Sequence, residues 1–170
     1  MIKKVVWGVI FILIAVLLQS TVLSRLVIYI YAVPDLALCI LVFIAYVNGT
    51  MTGQFTGFIS GFLLDFLSAA PLGLNAFVRT LVGALTGLFK DTFYLDFLFF
   101  PMLLCAGATV FKVLVFFLLH LIFPDSVPSY DPLTLTLWIE LAMNTFSAPF
   151  LFALLKLIRP LNARQKEAVL

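Results

Sequence analysis

The chain has 170 residues, of which 64% are hydrophobic and 11% charged, with a formal net charge of +2. Soluble domains carry roughly 45–50% apolar and about 25% charged residues, so a water-facing exterior cannot be built from this composition. The small charge and the lack of a basic, aromatic-laced face exclude nucleic-acid binding, and the length leaves no room for a soluble catalytic domain beside a set of membrane helices.

A bilayer-spanning helix needs about 20 mostly apolar residues, and six of them would use roughly 120 positions. The chain opens with Lys3 and Lys4 ahead of an apolar run to Leu18. That run exceeds the about 7–15 apolar residues of a signal peptide, and no small-x-small site follows it, so the pattern predicts a retained first span over 5–23. Arg25 closes it, and an amphipathic stretch over 26–33 leads to Pro34 and Asp35. The second span covers 36–47 and the third 53–67, followed by a turn at 68–71. Residues 36–64 carry no charge. As one straight helix they would measure about 43 Å against a hydrocarbon core of about 30 Å, which predicts a break at Asn48-Gly49. The fourth span covers 72–89 and stops at Lys90 and Asp91. The fifth covers 98–123 and the sixth 133–158, separated by a loop over 124–132 that holds three prolines.

The expected fold is therefore all-α: a single domain, residues 1–170, built as a six-helix transmembrane bundle. Its orientation follows from the basic residues. With the N-terminus inside, Lys3, Lys4, Lys90, Lys156, Arg159, Arg164 and Lys166 lie on the cytoplasmic side and Arg25 alone lies outside, so both termini are expected in the cytoplasm. Tyrosines and tryptophans such as Trp7, Tyr46 and Trp138 fall near span ends, as an aromatic belt would.

Gly49, Gly53, Gly57 and Gly61 recur every fourth residue, and Asp65 continues the series. Such a stripe lets a second helix approach to near backbone contact, and the fourth span offers Arg79, Gly83 and Gly87 at the same spacing. The pattern predicts a glycine-packed hairpin with an Asp65–Arg79 ion pair near its outer end, and surfaces of the same kind would suit a partner helix. Lys112 and Glu140 form a second candidate pair between spans five and six, with Asn144 one turn beyond Glu140 on the same face. An intramembrane charge is costly, so both sets read first as interhelical locks and second as a proton or ion relay. Cys39 and Cys105 lie in apolar runs and read as small buried hydrophobes rather than as a disulfide or metal pair. His120, the single histidine, is placed at a membrane interface. No nucleophile–base spacing, phosphate loop or metal-ligand cluster occurs, so neither catalysis nor a cofactor is expected.

The order of short motifs carries a resemblance. Leu17-Leu18-Gln19-Ser20-Thr21 is followed by Val33-Pro34-Asp35-Leu36, by Gly53-x-x-x-Gly57-Phe58-x-x-Gly61-x-x-x-Asp65, by Pro71-Leu72-Gly73-Leu74-Asn75 and by a span containing Gly83. This order resembles the bacterial rod shape-determining protein MreD family over the whole chain. The loop at 48–52 departs from it in lacking a basic residue. The resemblance implies a non-enzymatic member of the cell-elongation machinery in the cytoplasmic membrane. Its implied partners are MreC, the actin-like MreB, the glycosyltransferase RodA and a class B penicillin-binding transpeptidase. It also implies a fold similar to the S components of energy-coupling-factor transporters, and it makes Pro34, Asp35, Gly57, Gly61 and Asp65 positions of packing and partner contact. The competing reading is a transporter S component that binds a vitamin-like solute, which would require a polar outward pocket.

Overall fold

A helix that is apolar on every side has no face to give to water, and its place is the middle of a fold. Leu36–Asn48 is such a helix, and its residues from Ala37 to Tyr46 are all buried. Asp35 starts it by accepting the Leu38 N–H at 2.9 Å. The computed structural model describes residues 2–19, 33–68, 70–90, 92, 99–127 and 134–158. Among them it contains six helices and no strand: α1 Ile2–Leu18, α2 Leu36–Asn48, α3 Thr50–Leu67, α4 Leu74–Leu88, α5 Phe99–Ile122 and α6 Leu135–Lys156. The expectations for Arg25, for 26–32, for 128–132 and for Arg159, Arg164 and Lys166 fall outside the described residues.

The other five helices all touch α2. Ile12 and Ala15 of α1, Val82 of α4, Leu104 and Ala108 of α5, and Phe152 of α6 close around it in one cluster. Phe43 meets Phe152 edge-on at 5.2 Å between ring centroids, and Tyr46 meets Phe100 the same way. Such pairs add about 0.5–1.5 kcal/mol each beyond the area they bury. Cys39 and Cys105 sit in this core as free, buried thiols. At 13 residues α2 is about 20 Å long, shorter than a bilayer core. Helices α5 and α6 are the two that are long and apolar enough to cross a membrane by length and composition.

The chain breaks between α2 and α3 at a single residue. Gly49 has φ +91°, in the left-handed region, and α3 begins immediately after it at Thr50 rather than at 53. Beyond α5, Nδ1 of His120 donates to the Val127 carbonyl at 2.7 Å and folds the following segment back onto the helix end.

Candidate functional site: a buried charge network

The α3–α4 hairpin sets the geometry on which the site depends. A Cβ placed on Gly53, Gly57 or Gly61 would lie under 3.0 Å from the backbone of α4 or of Asn75 and Ala76 at its start; one on Gly83 or Gly87 would strike α3 in the same way. The two backbones are therefore in direct contact, and only glycine fits between them. This corrects the expectation that the stripe also serves a partner helix, because those faces are filled within the fold. Gly49 stands apart from the stripe. A Cβ there would meet only the Lys90 side chain, and its role is the positive-φ break.

Asp65 does not pair with Arg79. Its carboxylate accepts the backbone N–H groups of Gly73 at 2.9 Å, Asn75 at 2.9 Å and Ala76 at 3.2 Å. Gly73, with φ +95°, occupies the N-cap of α4 and has no side chain to satisfy the orphan donors of the first turn. Asp65 reaches across from the end of α3 to supply that cap, where a negative charge also complements the helix dipole. The expected Asp65–Arg79 pair is thus replaced by a carboxylate–backbone cap.

Arg79 turns instead to Asp35. Its Nη2 donates to both carboxylate oxygens, at 2.9 and 3.1 Å. Lys112 on α5 donates to the same carboxylate at 3.2 Å and to Glu140 on α6. Two cations and two anions thus alternate in one chain, Arg79–Asp35–Lys112–Glu140, whose formal charges cancel. Asn144 extends it: its Oδ1 accepts the Asp35 N–H at 2.7 Å and its Nδ2 donates to Thr109 Oγ1 at 3.0 Å. Thr109 passes its own hydrogen on to the Cys105 carbonyl at 2.8 Å. The side chains of Arg79 and Lys112 are 7% and 8% exposed, and those of Asp35 and Glu140 13% and 12%, so water screens the network little.

The network joins the start of α2 to α4, α5 and α6. Sequence reasoning placed Arg79, Lys112, Glu140 and Asn144 on inward faces but missed Asp35 as the shared anion and missed Thr109. The available signal was position: Pro34, itself buried, and Asp35 open an otherwise all-apolar helix that belongs to the core. No group of three or more His, Cys, Asp or Glu side chains among the described residues is placed to hold a metal ion. Chemically the arrangement neutralises charge and fixes four helix positions; no serine, threonine or cysteine in it is set against a free base.

The chain matches the family model described as rod shape-determining protein MreD over residues 1–158. No curated protein and no solved structure matches it.

Proposed function

The chain belongs to the MreD family of rod shape-determining proteins, and on that premise we propose that it is a non-enzymatic, multi-pass membrane scaffold of the bacterial cell-elongation machinery. Family membership implies a role in rod shape at a bacterial membrane. The finer reading is ours: six spans, both termini cytoplasmic, and an S-component-like bundle that holds MreC and, through the larger assembly, RodA, a class B penicillin-binding transpeptidase and MreB in support of side-wall peptidoglycan synthesis. The basic residues at 3, 4, 90 and 156 support that orientation. Because the glycine faces are filled internally, partner contact falls to other surfaces of the bundle.

One observation carries the scaffold reading: the four charges, Arg79 and Lys112 buried and Asp35 and Glu140 partly buried, cancel and are held by hydrogen bonds from four parts of the chain. A balanced, well-bonded cluster holds helices in place, whereas a relay needs an ionisable group left open to exchange. The discriminating experiment uses a rod-shaped bacterium depleted of its own family member. The native chain should restore rod shape and co-purify MreC through a C-terminal tag. The double variant Lys112→Met/Glu140→Met, which replaces one ion pair by apolar side chains and leaves Asp35–Arg79 intact, should do the same, since such swaps are often neutral or stabilising. Round cells with this variant at normal protein level would make the pair a relay. Rod shape restored without MreC capture would overturn the scaffold.

A further inference from the structure

Arg79 leaves part of its guanidinium unused. Nη2 serves Asp35, while the buried Nη1 has no hydrogen-bond partner. An unmet cationic donor away from water is costly, and buried donors nearly always find an acceptor. Arg79 and Asp35 together line a cavity of about 440 Å³, within the roughly 300–1,000 Å³ typical of small-molecule sites. Its apolar wall includes Val16, Leu17, Leu64 and Leu67, and Gln19 and Ser68 add polar positions. These residues come from the end of α1, the end of α3 and the segments adjoining them, so the cavity lies at one end of the bundle rather than at its middle. In a membrane that end lies where hydrocarbon gives way to the polar region, the level of the lipid ester groups.

The charge balance selects the ligand. The four-charge network is already neutral, and Asp65 at the same end adds a negative charge. An anion entering beside Asp35 would go uncompensated, whereas an uncharged oxygen would satisfy Nη1 without disturbing the balance. We propose that this cavity binds the ester region of a membrane glycerolipid: the Arg79 guanidinium turns its sealed Nη1 toward the cavity to donate to an acyl ester carbonyl, and the acyl chain lies against Val16, Leu17, Leu64 and Leu67. The inference needs this end of the bundle at a membrane surface but does not depend on which protein partners the chain holds.

The test compares a diacyl phosphatidylcholine with its dialkyl ether analogue of equal chain length, which lacks the carbonyls, and each with its anionic phosphatidylglycerol counterpart. The purified full chain is exchanged into each, and the lipid retained is counted by native mass spectrometry. The native chain should hold the diester roughly tenfold better, about 1.4 kcal/mol in binding. Arg79→Lys keeps a charge for Asp35 but loses the planar fork, and should abolish the ester preference without unfolding the chain. Leu67→Trp, which narrows the cavity from an exposed wall position, should lower retention of both lipids and leave thermal stability unchanged. Equal retention of diester and diether by the native chain would overturn the proposal, as would an ester preference that survives Arg79→Lys or a lipid retention that Leu67→Trp leaves unchanged. Preference for an anionic over a zwitterionic headgroup, regardless of ester, would replace it with a phosphate site. A chain that shows the ester preference and fails to capture MreC would keep this inference and lose the scaffold reading.

Discussion

Asp35 balances two cations on different helices, and no other acid touches Arg79 among the described residues. Replacing it by asparagine would leave Arg79 buried and uncompensated, a loss that costs about 3–5 kcal/mol when one partner of a buried pair is removed. Asp35→Asn should therefore show a markedly lower unfolding temperature in detergent. The paired change Asp35→Asn/Arg79→Gln should recover part of the loss, and strict additivity of the two would contradict the pairing. Asp65 and Arg79, by contrast, belong to separate sets of partners. Their double-mutant cycle should close within about 0.5 kcal/mol, the limit for independent sites. The sequence spacing made those two look like partners because both lie near the hairpin turn. What spacing could not show is that Asp65 has a closer claimant in the orphan N–H groups of α4. The clue was Gly73, an N-cap position without a capping side chain.

At the level of the helices, the glycines divide into those that must stay and those that need not. Gly57 faces the carbonyl of Arg79, so an added methyl would push the hairpin apart and carry Arg79 away from Asp35. Gly57→Ala should cost about 1–3 kcal/mol from overpacking, more than the up to 1 kcal/mol that alanine gains in helix propensity. Gly107 on α5 faces open space. Gly107→Ala should therefore stabilise, by about 0.5–1 kcal/mol, giving an internal control of opposite sign in the same thermal melt. The hairpin itself was legible in the fourfold glycine spacing, because backbone contact demands a missing Cβ. The reach of that contact was not legible. Gly8 of α1 also makes a close approach, to Ile44 and Thr56, and no repeat marks it in the sequence.

For the molecule as a whole, the helices could be read from apolar runs and their interruptions, since Gly49 and Pro124 are physical stops. Centrality was legible too, in the uncharged, all-round apolar character of α2. Long-range pairing was not, because charge spacing gives depth along a helix but not which neighbour lies beside it. The orientation proposed above makes its own prediction. Alkaline phosphatase inserted within 124–132 should be active in cells, and fusion at the C-terminus should be silent; the reverse pattern would invert the bundle. The network also carries a consequence for biogenesis. Asp35 lies 44 residues before Arg79, 77 before Lys112 and 109 before Asn144. An emerging chain thus makes its acid first and waits through the synthesis of four further helices, α3 to α6, for every partner to arrive. Lys112 gains Glu140 only with the last helix. In the membrane orientation proposed above, a truncated or stalled product would hold unmatched charge inside the bilayer, at a cost of about 2.5 kcal/mol or more for each charge left there.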